Sequence, residues 1–242
     1  MELRFVDCHS HVLPSGDDGA KTLEDGLELC ELAADSSTAM LFATPHVWPH
    51  LLLGEDRERD VRRTYERLAR RTRLELRLGF ELTPSPPLLR EDPARYALEG
   101  TAVVLVEMPF GGPFEDCVTL AEHVERAGLT PLIAHPERTE PVRERPELAF
   151  ELAGRWPLQL NATSLVGYHG PEIEELAWRL LEVASVVASD GHRLARPARL
   201  DEAYELVKAS VGEEAALPLF DGSALGVTAP RRTPSRAGAP GA

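Results

Sequence analysis

Imidazole and carboxylate side chains recur where the short apolar runs of this chain end. The residues in these positions are His9, His11, His46, Glu81, Glu107, His135, Asp190 and His192. Five of the eight histidines of the chain are among them, and scattered surface histidines would have no reason to fall there. Imidazole and carboxylate ligands together suit Zn²⁺, Mn²⁺ or Fe²⁺, and no cysteine is placed to add a thiolate. The pattern therefore predicts one multinuclear metal site and the chemistry of a metallohydrolase.

Alternating strand-like and helix-like segments would bring these side chains together. The apolar runs predict seven strands, at residues 3–7, 39–43, 74–82, 102–106, 130–134, 157–160 and 185–188. Helical patterns predict helices near residues 23–34, 57–71, 114–127, 145–154, 171–182, 200–210 and 212–219. Seven such repeats in one direction indicate an α/β fold of the TIM-like (β/α)7 barrel type. Because the strands of such a barrel are parallel, their C-terminal ends meet on one face, where we expect the metal site.

The first strand and the turn behind it supply the first of these ligands. Side chains alternate across a strand, so we expect His9 and His11 to face the barrel mouth and Cys8 to face the helix layer. The turn LPSGDDGA then places Asp17 and Asp18 next to each other in a Gly-flanked loop. One of these carboxylates can reach the site, but the spacing does not choose between them. Either aspartate alone also fits a plain turn with local side-chain hydrogen bonds.

The composition argues against several classes of partner and compartment. A formal net charge of −14 argues against nucleic acid or an anionic membrane surface as the main partner. Three cysteines without a CxxC spacing predict no disulfide framework, and no apolar run approaches the roughly 20 residues of a membrane span. No signal-peptide pattern opens the sequence, so we expect a cytoplasmic protein. We expect one domain over residues 1–225 and a disordered tail, rich in Pro, Gly, Ala and Arg, over residues 226–242.

Seven segments, in their order along the chain, resemble a known family of metallophosphoesterases. They are HSHVLPSGDDGAKTLEDGLELCELA, ATPH, GFE, VEMP, AHPER, LQLNATSLVG and ASDGH. The resemblance runs from about residue 7 to about residue 204 and is to the polymerase-and-histidinol-phosphatase (PHP) superfamily. Within it, DDGAKTLE and LQLNATS are similar to the bacterial capsule-locus, manganese-dependent protein-tyrosine phosphatases. The resemblance implies a distorted (β/α)7 barrel, the PHP fold, with the metal site at the C-terminal ends of the strands.

The same resemblance implies three divalent metal ions, manganese first, with iron, zinc or magnesium as alternatives. It implies nine ligands, which are His9, His11, Asp18, His46, Glu81, Glu107, His135, Asp190 and His192. Of the aspartate pair it selects Asp18, and it gives Glu81 the role of a carboxylate that bridges two ions. Four ligand carboxylates would meet about six positive charges on three divalent ions. The balance of about +2 suits a phosphate monoester dianion together with a metal-bound hydroxide.

The predicted reaction is hydrolysis by direct attack of metal-bound hydroxide on phosphorus. None of the three cysteines is followed six residues later by arginine, so the loop of a cysteine-based tyrosine phosphatase is absent from the sequence. Arg138 and Arg196 are predicted to bind the phosphate, and the family carries arginines at both places. The spacing from His192 to Arg196 is one residue shorter than in the family. Glu107 is given a catalytic role besides its role as a ligand.

Several further residues leave alternatives open. Asn161 ends the sixth predicted strand and either bonds a metal-bound water or the substrate, or caps the strand. Trp48 either stacks on an aryl leaving group or packs against neighbouring loops. For His50 and His169, in loops near the rim, a surface position is the favoured interpretation over substrate contact. His123 lies on a predicted helix and is expected to take no part in the chemistry.

The resemblance predicts that the substrate is phosphotyrosine in a protein, with a bacterial tyrosine kinase of capsular or exopolysaccharide synthesis as the expected partner. A small-molecule phosphatase, acting for example on histidinol phosphate, is the alternative because it shares every metal ligand. An amidohydrolase acting on C–N bonds fits less well, since that group expects a histidine where this chain has Asn161. A non-catalytic domain would be expected to lose ligands, and all nine are present. A homo-oligomer is possible, because the family includes self-associating members.

Overall fold

Short parallel strands alternate with helices along the chain. The structure, a computed structural model, describes residues 3–229. Within that range the strands are β1 (Phe5–Ser10), β2 (Thr38–Ala43), β3 (His46–Val47), β4 (Glu75–Leu78), β5 (Glu81–Leu82), β6 (Val103–Glu107), β7 (Thr130–Ala134), β8 (Leu158–Asn161) and β9 (Val186–Ala188). The α-helices are α1 (Leu23–Asp35), α2 (Glu55–Ala69), α3 (Phe114–Arg126), α4 (Glu140–Glu144), α5 (Glu147–Ala153), α6 (Ala162–Leu165), α7 (Pro171–Leu180), α8 (Asp201–Val211) and α9 (Glu213–Ala216). Short 3₁₀ helices occupy several of the remaining connections.

The strands form two sheets, with the orders β1-β2-β4 and β3-β5-β6-β7-β8-β9, and all their pairings are parallel. The strand predicted at residues 74–82 is divided by residues 79–80 into β4 and β5. The strand predicted at residues 39–43 is found as β2, and the short β3, which was not predicted, follows it after residues 44–45. The prediction of one continuous strand over residues 74–82 is therefore wrong. The α/β class and the parallel arrangement of the strands are as predicted.

The two breaks have local causes, and hydrogen bonds cross them. Pro45 has no N–H to donate to a neighbouring strand. At Gly79 a Cβ would lie 2.4 Å from Leu98 Cδ2, so the backbone runs closer to its neighbour than a regular strand residue allows. Gly79 N nevertheless donates to Ala43 O (2.9 Å), and Glu81 N donates to Pro45 O (3.2 Å). The smaller sheet therefore continues into the larger one at this edge.

The first and last strands are joined at their C-terminal ends. Asp190 N donates to His9 O (2.9 Å), and His11 N donates to Gly191 O (2.7 Å). A parallel bridge between Ser10 and Gly191 lies between these two bonds. The segments that carry predicted ligands from opposite ends of the sequence therefore lie side by side.

Apolar side chains pack on both faces of the sheets. The larger cluster fills the space between strands and helices, with Leu29 of α1, Leu120 of α3 and Leu160 of β8 among its members. The smaller cluster consists mostly of strand residues, together with Leu225 and Val227 near the end of the described chain. The strands are thus buried from both sides, as expected for parallel sheets.

Cys8 lies in the smaller cluster, so the prediction that it faces the helix layer is wrong. Val6 and Cys8 lie on one face of β1 and pack in the smaller cluster, whereas Phe5 on the other face packs in the larger cluster between strands and helices. The side chains therefore alternate as expected, but the face that carries Cys8 is the one turned away from the helices. Cys8, Cys30 and Cys117 are all buried and free.

Local sequence sets several helix ends. α1 begins with a capping box, in which the Thr22 hydroxyl accepts from Asp25 N (3.1 Å) and the Asp25 carboxylate accepts from Thr22 N (2.9 Å). The helix predicted at residues 145–154 begins two residues later, as α5, directly after Pro146, and the short α4 precedes it. The sequence did not predict α6, a single turn directly after Asn161.

The predicted tail, residues 226–242, lies mostly outside the described residues. In its described part, Val227 is 7% exposed and packs in the smaller cluster. None of the helices between residues 3 and 229 is long and apolar enough to cross a membrane.

Replacing Gly26 inside α1 tests how closely this helix packs on the turn that follows β1. A Cβ at Gly26 would lie 2.2 Å from the carbonyl oxygen of Val12. Gly→Ala inside an open helix stabilises a protein by about 0.5–1 kcal/mol. We expect Gly26→Ala to do the opposite and to lower the free energy of unfolding by about 1–3 kcal/mol, because the helix must move outward.

Gly54→Ala is the control for a glycine with open space around it, since nothing lies within 4 Å of its Cβ position. Gly54 is the N-cap residue of α2, so the control should lose about 1 kcal/mol or less. Thermal and denaturant unfolding of both variants would measure the difference. A Gly26→Ala protein as stable as the wild type would contradict the close approach of α1 to Val12.

Candidate metal centre

The nine residues predicted as ligands lie together, at or near the C-terminal ends of the strands. They form four overlapping groups, in each of which one nitrogen or oxygen atom per residue lies within 4.8 Å of the others. The groups are His11, Asp18, His46 and His192; His9, Glu81 and His135; His9, His11 and Asp190; and His46, Glu81 and Glu107. Asp18 is exposed and the other eight residues are buried. The structure therefore brings the whole predicted set into one site.

Glu81 lies at the centre of this site. Its Oε2 is 3.1 Å from His9 Nε2, 3.2 Å from His11 Nε2 and 3.0 Å from His46 Nδ1, and its Oε1 is 3.0 Å from His135 Nε2. Complete burial by itself would raise the pKa of this carboxyl, but the histidines, His9 and His46 first, hold that pKa well below its usual range. The site therefore keeps Glu81 negatively charged and requires positive charge around it.

Several buried atoms of the site have no hydrogen-bond partner in the part of the chain that the structure describes. They are Glu81 Oε2 and the Nδ1 atoms of His11, His46 and His135. Buried polar atoms are normally paired, so these atoms call for a partner other than the surrounding side chains. Imidazole nitrogens and carboxylate oxygens are ligand atoms for divalent transition metals. The donor set therefore fits metal ions.

Gln159 of β8, which the sequence analysis did not single out, orients one of the predicted ligands. Its Oε1 lies 2.9 Å from His9 Nδ1, and its Nε2 donates to Asn161 Oδ1 (2.7 Å). An amide oxygen accepts a hydrogen bond from Nδ1–H, which leaves Nε2 of His9 unprotonated and free to bind a metal. Asn161 Nδ2 in turn donates to Asp190 Oδ2 (2.7 Å). Gln159 and Asn161 thus hold His9 and Asp190 in position relative to each other.

The two adjacent aspartates have different surroundings. Asp17 is buried, and its carboxylate accepts from the backbone N–H groups of Gly19 (3.1 Å) and His46 (3.0 Å). Asp18 Oδ1 lies 3.5 Å from His46 Nε2 and 3.3 Å from His192 Nε2. Asp17 therefore fixes the turn, while Asp18 is the aspartate that belongs to a ligand group.

Arg138 and Arg196 line the same cavity as the ligand groups. Arg138 Nη1 donates to Asp190 Oδ2 (2.8 Å), and Arg196 Nη2 lies 3.5 Å from Asp190 Oδ1. Their side chains are only 12% and 14% exposed. Two guanidinium groups held beside a ligand cluster favour binding of a doubly charged phosphate group.

The cavity that opens onto this site has both charged and aromatic walls. Its lining consists of Asp18, His46, Trp48, Glu107, Phe110, His135, Arg138, Asp190, His192 and Arg196. Trp48 stacks on His46 and on the exposed His50, with ring centroids 4.5 and 5.3 Å apart. Phe110 stacks on His135, with centroids 5.5 Å apart and an angle of 8° between the rings. Trp48 is one of the residues for which the sequence predicted a possible substrate contact, and Phe110 is not.

The two remaining histidines lie outside the ligand groups. His123 on α3 bonds the carbonyl oxygen of Glu91 through Nε2 (3.0 Å). His169 is half-buried and lies 3.0 Å from Thr163 Oγ1. Burial, and next the charge of Arg138, lower the pKa of His169 to about 4. Neither residue carries the argument for a metal site.

Replacing each of the two aspartates by alanine, in separate variants, tests the assignment of Asp18 as a metal ligand. Asp18→Ala removes a predicted ligand from a side chain that is 59% exposed, so we expect less metal bound per protein and an unchanged stability of the metal-free fold. Asp17→Ala, the matched control, leaves two backbone N–H groups without their acceptor and should lower the stability of the metal-free fold by about 1–3 kcal/mol.

Elemental analysis would give the metal content, and thermal unfolding of chelator-treated protein would give the stability without a contribution from bound metal. A full metal content in Asp18→Ala would show that Asp18 is not a metal ligand.

The sequence matches a known protein family over most of its length. A family model described as capsular polysaccharide synthesis, CpsB/CapC, matches residues 5–225. Tyrosine-protein phosphatase YwqE of Bacillus subtilis is 28% identical over 233 residues, which cover 91% of this chain and 91% of YwqE. Tyrosine-protein phosphatase CpsB of Streptococcus agalactiae is 28% identical over 232 residues, which cover 89% of this chain and 95% of CpsB.

Solved structures show the same architecture. One described as YwqE from Bacillus subtilis and CpsB from Streptococcus pneumoniae, unique metal-dependent tyrosine phosphatases, has a TM-score of 0.79 at 27% identity and covers 88% of this chain and 90% of that chain. A variant of the organophosphorus hydrolase from Deinococcus radiodurans has a TM-score of 0.53 at 14% identity, with 91% of each chain covered. The second likeness shows the fold alone, an α/β architecture similar to that of phosphotriesterase-like barrels.

Proposed function

Because this chain belongs to the CpsB/CapC family of capsular polysaccharide synthesis, we propose that it is a metal-dependent phosphatase that hydrolyses phosphotyrosine in proteins. The observation that carries the proposal is the cluster of nine ligand side chains with two arginines in the wall of the same cavity. The names of YwqE and CpsB, which match along nearly their full length, support the same substrate class for this chain. The expected partner is a bacterial tyrosine kinase of capsular or exopolysaccharide synthesis in the cytoplasm.

The nine ligands are assigned to three divalent ions, manganese first, with Glu81 as the bridging carboxylate. The two oxygens of Glu81 lie next to different histidines, so Glu81 would be able to offer one oxygen to each of two ions. Burial, and next the charge of Glu81, raise the pKa of Glu107 to about 7, and a nearby cation would keep this carboxyl ionised at neutral pH. Divalent ions held by these residues would lower the pKa of a bound water towards ~7 and would supply positive charge for the oxygens of an in-line displacement.

The fold assigned to this function is one distorted (β/α)7 barrel of the PHP type within a single domain over residues 1–225. The hydrogen bonds between the ends of β1 and β9, and those across the two strand breaks, support a continuous wall. This arrangement would place all nine ligands at the mouth of the barrel.

The role assigned to the two arginines is to bind and orient the phosphate. Arg138 is held by its bond to Asp190 (2.8 Å), so its free N–H groups are positioned before the substrate arrives. Arg196 lies beside the other oxygen of Asp190, and both guanidinium groups can donate to non-bridging phosphate oxygens. Glu107, in the same cavity wall, accepts a hydrogen bond from the Thr83 hydroxyl. We assign it a part in catalysis as well as in metal binding.

The substrate class is tested by comparing a phosphotyrosine peptide with histidinol phosphate, each with added Mn²⁺ and with EDTA. We expect turnover that EDTA abolishes, with the higher kcat/KM for the peptide, because the cavity wall offers aromatic surface as well as phosphate-binding groups. Preference for histidinol phosphate would move the function to small-molecule phosphate monoesters. Undiminished turnover after complete chelation would contradict the dependence on metal.

The role of Arg138 is tested by Arg138→Ala. Loss of charged hydrogen bonds worth about 1.5–3 kcal/mol should lower kcat/KM for phosphate esters by about 10–100-fold, while the bound metal stays unchanged. Arg143→Ala is the control, because Arg143 forms an exposed ion pair with Glu172 (2.9 Å) outside the cavity. A wild-type rate in Arg138→Ala would show that Arg138 does not bind the substrate. A loss of bound metal would show that its role is to hold Asp190 in position.

A further inference from the structure

Phe110 follows β6 in the connection to α3 and forms part of the wall of the metal cavity. Its side chain is 47% exposed. Single exposed apolar residues are common on protein surfaces and need no explanation. This one differs because it lines a cavity whose other walls are mostly charged, so part of its exposed surface borders the space that a substrate would fill.

The ring is fixed in place by its surroundings. The Phe110 carbonyl oxygen accepts from Glu140 N (2.9 Å) at the start of α4, which anchors the backbone. The ring stacks on His135 at an angle of 8°, and Arg138 Cζ lies 4.6 Å from the ring centroid. A side chain held by three contacts loses little further freedom when a ligand packs on it.

A second aromatic side chain lines the same cavity next to a different ligand. Trp48 stacks on His46, and Phe110 stacks on His135. These two histidines lie 3.0 Å from opposite oxygens of Glu81. Two aromatic rings therefore line the cavity beside the ligand cluster, so the ester group of a substrate whose phosphate binds at Arg138 would lie next to aromatic surface.

We propose that Phe110 is a specificity-determining residue, which packs against the aryl ring of the substrate and favours aryl over alkyl phosphate monoesters. Aromatic rings pack favourably on one another in offset or edge-to-face arrangements, and a short alkyl group offers no such surface. Trp48 serves as the second aromatic wall. This inference rests on the proposed phosphatase function and names the chemical feature of the substrate that the cavity selects.

The test measures binding of benzylphosphonate and methylphosphonate to the Mn²⁺-loaded protein by titration calorimetry. Both compounds present the same phosphonate group, and neither is hydrolysed, so differences in leaving-group reactivity do not enter. We expect Phe110→Ala to weaken benzylphosphonate binding by about fivefold to tenfold, which is the upper part of the range that one aromatic contact gives, and methylphosphonate binding by less than about twofold. Phe110→Tyr should keep the wild-type preference.

Tyr168→Ala is the control for removal of an exposed aromatic ring, because Tyr168 is 51% exposed and does not line the cavity. It should change neither affinity. An equal loss of both affinities in Phe110→Ala would overturn the inference, since Phe110 would then act through Arg138 or His135. Unchanged affinities would also overturn it. The metal content of each variant is measured as well, because the ring contacts a predicted ligand.

Turnover of the phosphotyrosine peptide by the wild-type protein separates this inference from the proposed function. A wild-type enzyme that hydrolyses the peptide, with no selective loss in Phe110→Ala, would overturn the inference alone. A wild-type protein without peptide turnover, but with a benzyl preference that Phe110→Ala removes, would overturn the phosphotyrosine assignment and leave the aryl wall in place.

Discussion

A fully buried carboxylate stays ionised inside a protein only where positive charge or hydrogen-bond donors surround it. Glu81 is fully buried, so the rest of the site has to supply such groups around it. The groups around it come from separate parts of the fold: His9 from β1, His46 from β3 and His135 from the residue after β7. Each of these strands has to end at the same level, within about one side-chain length of Glu81. The hydrogen bonds between β1 and β9, and those that cross the breaks at residues 44–45 and 79–80, hold the strand ends at that level.

Two of the predicted ligands need an uncommon backbone to reach the cluster. His135 has φ 35° and Asp190 has φ 50°, both in the left-handed region that side chains other than glycine rarely adopt. Such residues cost about 1–3 kcal/mol each and persist where the surroundings fix them. His135 is fixed by its contact with Glu81, and Asp190 by its bonds to Asn161 and Arg138. Ser37, with φ 70° between α1 and β2, has a similar backbone outside the site. At His135 and Asp190 the strain falls on residues to which we assign the chemistry, and the contacts of the ligand cluster offset it.

The residues that end an apolar run could be predicted from the sequence, because the run itself marks where a parallel strand stops. Irregular segments carry no such marker, so spacing alone could not distinguish Asp18 from Asp17. The break at residues 79–80 depends on the close approach of Gly79 to Leu98, which the hydrophobic periodicity of the sequence does not reveal. Gln159 did leave a signal, since the strand β8, LQLN, alternates leucines with polar residues although parallel strands are usually apolar throughout. Phe110 left none, because an aromatic residue in a loop between a strand and a helix has no characteristic spacing.

The parts that could not be predicted are those that govern substrate choice. Backbone hydrogen bonds between neighbouring strands fix the positions of the strand ends. Proteins with very different substrates can share such a strand arrangement, and the likeness in fold to an organophosphorus hydrolase at 14% identity is an example. The connections between strands and helices are free to vary, because few ladder bonds depend on them. In this chain the connection after β6 is anchored at Glu140 and carries Phe110, and the segment after β3 carries Trp48. Specificity for an aryl ester can therefore arise in two short loops without any change in the ligands, and it is in these loops that phosphatases with the same nine ligands would differ.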